Sequence, residues 1–471
     1  MVLTGARARR LPTALVGMAV TIVLGAGIWA AVALKDPPFP DEWDPRVADL
    51  ADYVAGQRGL PFEHPVHVDF LSEEDFRRTV TSEDADLSVE DRADLEQGAA
   101  FLRATGLASG EVDLFDSANE LSGEATLAYY DPAVERVTVR GTELSVGVRA
   151  TLVHELTHVL QDQHFDLERL GRLPSVGQND AFLAVIEGDA LRIEAGWAAE
   201  LGRQDREALM SERTETAGGV ELGEDVPGAL LALYSSPYVL GEPFVSVVLD
   251  ERAEEGINEA IRTPPRTEEQ LLDPYVYLAG DEPVRVERPA VGEGEEVSEE
   301  GDFGALTWFL LLAEHLDPRQ ALRATDGWGG DSYVAVDRDG RACVRSAFRG
   351  DTPADTDEMT TALEEWSSSV PANDASVSRR GDDVVLESCD PGPDVTPGIG
   401  GGAEQALLYP VTRTYFTLGA LESGADQALA RCMGNEFVLG LTMAELLGFN
   451  EALADPQALT DQSLRAAGAC R

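Results

Sequence analysis

The stretch of residues 151–160 constrains this chain more than any other part of it. Its sequence is TLVHELTHVL, in which apolar residues surround the pattern His-Glu-x-x-His. The apolar content predicts a buried helix, and at 3.6 residues per turn His154 and His158 lie one above the other on one face. Two neutral imidazoles at this spacing can bind one metal ion, and Glu155 is placed to contact a water molecule on that ion. The chain contains only six histidines, so we interpret the pair as a metal site; the alternative is a core helix with two satisfied histidines.

A second helix, predicted over residues 180–202, supplies the candidate third ligand. Residues 187–190 within it read Glu-Gly-Asp-Ala. A glycine inside a helix costs about 1 kcal/mol relative to alanine, a cost that is tolerated where another backbone must come close. We therefore expect two helices to cross near the metal, with Glu187 joining His154 and His158 as the ligands. Structural zinc sites are usually closed and rich in cysteine, whereas three nitrogen and oxygen ligands leave a fourth position for water. A zinc ion that only braces two helices is therefore the weaker interpretation.

Two aspartates are candidates for orienting a ligand histidine. Asp162 lies four residues beyond His158 on the same predicted helix face, which suits that role. Asp189 lies two residues from Glu187, so a helix cap or a solvent contact competes equally. His164 falls off the ligand face and is predicted not to bind the metal. The remaining histidines are predicted to be surface or structural residues: His64, His67 and His315.

The sequence around the metal motif predicts an α+β fold. Residues 125–130 and 137–141 have strand character and are separated by a turn, and Val146 begins the motif helix. A strand at the edge of such a sheet can pair with an extended peptide. Further along, two hairpins separated by a helix predict a smaller ββαββ unit, and a helical tail ends the chain.

Changes in composition predict the domain boundaries. We assign residues 1–36 to an N-terminal segment, 37–300 to the core with the metal motif, 301–395 to a helix plus the ββαββ unit, and 396–471 to a linker and the helical tail. Two polar stretches are predicted to lack regular structure: the acidic linker at residues 292–301, and an exposed loop at residues 211–228.

The cysteines predict two disulfides. All of them fall in the C-terminal third, as Cys343, Cys389, Cys432 and Cys470. An even number without any Cys-x-x-Cys spacing favours disulfides over a metal site. Sequence cannot choose among the three possible pairings. Our hypothesis is local pairing, Cys343 with Cys389 and Cys432 with Cys470.

The sequence of the N-terminal segment predicts where in the cell the protein is located. Residues 11–34 are uncharged and mostly apolar, and Arg7, Arg9 and Arg10 precede them. This length is sufficient to span a bilayer, and the preceding charges would keep the N-terminus inside. We therefore predict a single-pass membrane protein, anchored through residues 11–34, with an extracytoplasmic catalytic region. The alternative is a cleaved signal peptide and a secreted protein.

The charge balance excludes one class of partner. The chain has 86 acidic and 36 basic side chains, a formal net charge of −50. Such a surface repels the phosphates of nucleic acids, so we expect no nucleic-acid partner.

With both motifs identified, the chain resembles the gluzincin class of zinc metallopeptidases. It looks most like a group of exported or membrane-anchored members that share the sequence HELTHxLQDQHFDL followed by a helix with EGDA. The resemblance implies a zincin-like core, one Zn²⁺ bound by His154, His158 and Glu187, and a protein or peptide substrate. Glu155 would act as general base toward a zinc-activated water. Tyr238 is a candidate donor to the developing oxyanion, and a packed aromatic residue is its alternative. An inactive relative that only binds peptides or envelope partners is the second functional hypothesis.

Overall fold

The computed structural model describes residues 39–82, 87–219, 226–395, 402–450 and 456–470. Over these residues the fold is α+β, as predicted, with two small sheets among many helices. The strands are β1 (His67–Leu71), β2 (Ala128–Asp131), β3 (Arg136–Arg140), β4 (Glu296–Gly301), β5 (Trp328–Arg338), β6 (Arg341–Gly350), β7 (Ser376–Arg380) and β8 (Asp383–Cys389). The helices are α1 (Ala48–Arg58), α2 (Glu73–Val80), α3 (Val89–Ala104), α4 (Leu114–Ala125), α5 (Val146–Phe165), α6 (Val176–Glu200), α7 (Arg203–Gly219), α8 (Gly228–Arg262), α9 (Glu269–Leu272), α10 (Pro274–Ala279), α11 (Gly304–His315), α12 (Pro318–Thr325), α13 (Pro353–Ser369), α14 (Ala403–Ala406), α15 (Leu408–Glu422), α16 (Gln427–Leu439), α17 (Met443–Asn450) and α18 (Pro456–Ala469).

The first sheet supports the helix with the metal motif. Its strand order is β1-β3-β2, with β1 parallel and β2 antiparallel to the central β3. The side chains of Val137 and Val139 lie on the face of the sheet toward α5. They are fully buried in one hydrophobic cluster with Leu152 and Leu156 of that helix. Helix α5 begins at Val146, as predicted, because the side chain of Ser145 accepts a hydrogen bond from the backbone N–H of Val148. Strand β2 is an edge strand and lies against α5.

Helix α6 lies between α5 and α8, and it meets α8 backbone to backbone. A Cβ atom at Gly188 would lie 2.2 Å from the carbonyl oxygen of Gly241, and one at Gly241 would lie 2.1 Å from that of Ala184. The close approach predicted at Gly188 is therefore present. Its partner is α8, which brings a third helix toward the motif.

The second sheet contains the predicted ββαββ unit and one strand more. Its order is β4-β5-β6-β8-β7, and α13 connects β6 to β7. The prediction of an acidic linker is wrong at residues 296–301, which form β4 and pair with β5. Its acidic side chains find partners there. Glu295 forms salt bridges with Arg338 and Arg345, and Glu299 accepts a hydrogen bond from the hydroxyl of Tyr333.

The predicted disulfide pairing is confirmed. Cys343 and Cys389 face each other on β6 and β8 and form one disulfide. Cys432 and Cys470 form the other, which joins α16 to the end of α18.

The prediction of an exposed loop from residue 211 is wrong for residues 211–219, which continue helix α7. A tertiary contact decides this. The carboxylate of Glu212 accepts hydrogen bonds from the hydroxyl of Ser145 and the backbone N–H of Gly147, at the start of α5. The polar sequence of α7 is therefore fixed against the motif helix.

One hydrophobic core runs through the units that composition separates. It includes Phe182 of α6, Phe309 of α11, Trp366 of α13, and Tyr409 and Phe437 of the tail helices. The tail therefore packs into the same core as the helix that carries Glu187. The domain boundaries remain predictions from composition.

The prediction of a single-pass membrane protein is corrected by the helices of the structure. In the part of the chain that the structure describes, no helix is both long and apolar enough to cross a membrane. Helix α8 is kinked at Ala253, whose backbone angles are not helical, and it carries polar residues that include Ser235, Ser236 and Glu242. Residues 11–34 lie outside the described residues, and we do not retain the membrane location.

Candidate metal centre

Helices α5 and α6 bring the three predicted ligands together. His154 Nε2 lies 3.0 Å and His158 Nε2 lies 3.4 Å from the same oxygen, Oε2 of Glu187. One ligand atom from each residue lies within 4.8 Å of the other two. Among the described residues, this is the one group of histidine, cysteine or acidic side chains that could hold a metal ion.

The ring arrangement follows from the helix spacing. The centroids of the two imidazoles are 4.7 Å apart, and their planes meet at 83°. Both Nε2 atoms therefore converge on one point from one turn of α5, while the carboxylate approaches from α6. Two nitrogens and one carboxylate oxygen form a donor set that suits a zinc ion with an open fourth position.

The electrostatics of the centre favour a bound cation. Burial disfavours the charged form of Glu187, but the charge of His158 and hydrogen bonds from both histidines outweigh it and lower the pKa of Glu187 to about 2. Burial likewise opposes protonation of His154, yet hydrogen bonds to Glu187 and Glu194 raise its pKa well above the usual value. The acidic surroundings thus stabilise positive charge at the two rings. A divalent cation would compete with these protons for the same nitrogen lone pairs.

Glu155 sits beside the ligands but does not belong to them. Burial raises its pKa to about 7, against the lowering effect of His158 and His154. The backbone N–H of Tyr130, on the edge strand β2, donates a hydrogen bond to its carboxylate. Glu155 is therefore held between the edge strand and the ligand group.

Gln161 orients His158, a role that the sequence analysis had considered for aspartates. Gln161 Oε1 lies 3.0 Å from His158 Nδ1. The Nε2 amide group of Gln161 donates to the carbonyl of Ile186 at 3.0 Å and to Asp189 Oδ2 at 2.9 Å. Because both amide protons are used, Oε1 must accept from Nδ1–H of His158. This fixes the tautomer whose Nε2 is free to bind a metal.

Asp189 acts through Gln161 and is itself fixed by arginines. Arg58 Nε lies 2.9 Å from its carboxylate, and both side chains are fully buried. Arg192 binds the same carboxylate at 2.8 Å and also pairs with Glu254 of α8 at 2.9 Å. The orientation of His158 is thus connected to α1, α6 and α8.

Asp162 has another role from the one predicted. Its Oδ2 accepts a hydrogen bond of 2.7 Å from the hydroxyl of Tyr130, and its Oδ1 accepts one of 2.8 Å from the backbone N–H of Leu167. It connects the edge strand to the end of α5. Gln161, the residue immediately before Asp162, orients His158 instead.

Glu194 was missed by the sequence analysis. Its Oε2 lies 3.4 Å from His154 Nδ1, the ring nitrogen that faces away from the ligand group. It follows Glu187 by seven residues, so both lie on one face of α6, and this spacing is the signal that could have identified it.

Two tyrosine side chains of α8 lie close to Glu187. Tyr238 is 38% exposed, and its hydroxyl donates a hydrogen bond to Glu187. Tyr234, one turn earlier, was missed by the sequence analysis. It hydrogen-bonds to Thr126, and burial followed by the charge of Glu187 raises its pKa. The same causes raise the pKa of Tyr238 well above its usual value, so both hydroxyls stay protonated donors.

The other histidines lie apart from this ligand group. His64 pairs with Glu135 at 3.2 Å, and His164 Nε2 lies 2.7 Å from the carbonyl oxygen of Pro61. His315 Nε2 lies 2.7 Å from the carbonyl oxygen of Gly106, and His67 is in β1.

Replacing Gln161 tests the orienting contact. We expect Gln161→Ala to weaken metal binding by about 10–100-fold, because His158 loses the acceptor that fixes its tautomer and ring orientation. The measurement is zinc affinity by competition with a chromophoric chelator. Gln163→Ala, two residues further along α5, is the matched control, since Gln163 bonds to Glu63 and His64. Equal affinities of the two variants would contradict the role of Gln161.

Comparison of the chain with protein-family models, with curated proteins and with solved structures gave no match. The gluzincin resemblance and the zincin-like core therefore stay predictions, and the argument for function rests on the geometry of the centre.

Proposed function

We propose that this chain is a zinc-dependent peptidase with a zincin-like core. The observation that carries the proposal is the arrangement of His154, His158 and Glu187 within 4.8 Å of one another, with the buried carboxyl of Glu155 next to them. A purely structural centre has no need for a buried acid beside its ligands. A hydrolytic centre does.

A zinc ion at this position would polarise a water molecule and lower its pKa toward neutrality. His154, His158 and Glu187 would hold the ion, and Glu155 would accept a proton from the attacking water and deliver it to the departing amine. The hydrogen bond from Tyr130 keeps the carboxylate in place through both transfers. Strand β2 lies at the edge of its sheet, where an extended peptide would pair with it.

Tyr238 is the proposed donor to the developing oxyanion. Its hydroxyl is protonated and lies beside the ligand group, where it donates a hydrogen bond to Glu187. A preorganised donor of this kind contributes about 2.7–4 kcal/mol to the stability of a transition state. Tyr238→Phe is thus expected to lower kcat by about 10²–10³-fold with little change in KM, measured on a peptide substrate. A fall confined to KM would assign Tyr238 to substrate binding.

The test of the proposal is metal content together with hydrolysis. The full chain is expected to bind one zinc ion and to cleave a mixed peptide library, with cleavage lost in a chelator and restored by zinc. We expect Glu187→Ala to lower zinc occupancy strongly, because the site loses its only charged ligand. Glu200→Ala, at the end of the same helix, is the control. Full zinc occupancy in Glu187→Ala would remove Glu187 from the ligand set, and an inert zinc-loaded wild type would favour a binding protein.

A further inference from the structure

A second site-like feature lies where the tail helices meet the core. It is a cavity of about 370 Å³ between α9 and α10 on one side, the end of α12, and helices α15 and α16 of the tail. This volume is in the range of cavities that hold small molecules, about 300–1,000 Å³. The metal ligands are absent from its lining.

The lining of the cavity is acidic beyond what its arginines neutralise. Two basic side chains line it, and each has its own acidic partner. Arg413 pairs with Asp326 at 2.7 Å, and Arg431 pairs with Asp273 at 2.7 Å. Three carboxyl groups of the lining form no salt bridge with a described residue: Glu269, Asp281 and Asp351.

Glu269 is the side chain that points to a ligand. It is 8% exposed, it lines the cavity, and its carboxyl group has no hydrogen-bond partner among the described residues. Its electrostatic neighbours are the four acidic residues of the lining, with Arg413 the cation that faces it. Because no donor of the described residues binds this carboxyl group, a ligand in the cavity can bind to it.

The structure assigns this cavity to a small organic cation that carries two or three ammonium groups, as a linear polyamine does. Three unpaired carboxyl groups match two or three positive charges. They do not form a three-ligand metal group, since among the described residues only His154, His158 and Glu187 bring three ligand atoms within 4.8 Å of one another. The ligand would touch α9, α10 and the tail helices together, so it would join the tail to the core.

Binding should release a proton. Burial, followed by the charges of Asp351, Asp281, Asp273 and Asp326, raises the pKa of Glu269 to about 9, so its carboxyl is protonated at pH 7.5. An ammonium group beside Glu269 favours the carboxylate and lowers that pKa. The proton then leaves to the buffer, as a charge-balanced exchange of H⁺ for one positive charge of the ligand.

The experiment is calorimetric titration of the full chain with spermidine at pH 7.5 and constant ionic strength, in two buffers of different ionisation enthalpy. We expect saturable binding with a stoichiometry of one and a buffer-dependent heat that shows proton release. Glu269→Gln should weaken binding at least tenfold and abolish the proton release. Glu111→Gln, which removes an exposed carboxylate elsewhere, should change neither, and thermal melting verifies that both variants fold.

Three results would overturn the proposal. The first is linear, non-saturable heat, which would mean that spermidine only screens the acidic surface. The second is equal spermidine affinity in wild type and Glu269→Gln. The third is saturable binding of Ca²⁺ that Glu269→Gln abolishes while spermidine fails to compete, which would make the cavity a metal site.

Discussion

Glu155→Gln is expected to lower peptide hydrolysis by about 10²–10⁴-fold while one zinc ion per chain stays bound. Glutamine has nearly the same size as glutamate, and its amide oxygen can still accept the hydrogen bond from the backbone of Tyr130. It cannot accept a proton from water. Since Glu155 is not one of the three grouped ligands, metal affinity should change little.

Two measurements on the same protein samples test this prediction. Zinc per chain is measured by atomic emission, and turnover is measured on a peptide that the wild type cleaves. Glu143→Gln is the matched control, because Glu143 is an exposed residue just before α5. Turnover of Glu155→Gln near the wild-type value would show that another group takes the proton. Loss of zinc would instead make Glu155 a ligand.

Gly188→Ala should be among the most destabilising alanine substitutions in the chain, at about 3 kcal/mol or more. The added methyl carbon would lie 2.2 Å from the carbonyl oxygen of Gly241. The obstacle is backbone within a helix, so it cannot rotate away as a side chain could. Helices α6 and α8 must therefore move apart, and Glu187, the residue before Gly188, moves with α6. We expect zinc affinity to fall together with stability.

Gly56→Ala is the control for the helix-propensity effect. Gly56 lies in α1, and a Cβ atom there would have no atom within 4 Å. Alanine should therefore stabilise the protein by about 0.5–1 kcal/mol, by reducing the freedom of the unfolded chain. Urea unfolding of both variants separates the two cases. A Gly188→Ala variant as stable as wild type would mean that α6 and α8 are not in backbone contact.

The acidic surroundings of the centre would also favour a bound cation. Glu155, Glu187 and Glu194 all approach the two imidazoles, so three carboxyl groups share a buried region. Removing zinc with a chelator is therefore expected to lower the melting temperature. The loss should be smaller in Glu187→Ala, which binds the ion weakly from the start. Equal melting with and without zinc in the wild type would contradict a metal ion at this position.

The sequence by itself determined the features that depend on local spacing. The two histidines share a face because four residues make about one turn of helix, and α5 begins at Val146 because Ser145 caps it. The glycine inside α6 likewise predicted a close backbone contact, which Gly188 makes with Gly241. The sequence left three disulfide pairings open, and the structure shows the local one.

Only the tertiary structure decided which side chains surround those ligands. Gln161 is held toward His158 because its amide group binds residues of α6. Spacing places Glu194 on the same face as Glu187, but its contact with His154 depends on how α6 packs across α5. Two polar stretches that were predicted to lack regular structure form helix α7 and strand β4. Glu212 of α7 and Glu299 of β4 each accept a hydrogen bond from a residue distant in sequence. Spacing along a helix is fixed by backbone geometry, whereas contacts between elements depend on how their apolar faces pack. The spacing can be calculated from one chain segment, whereas the contacts between elements require the whole fold.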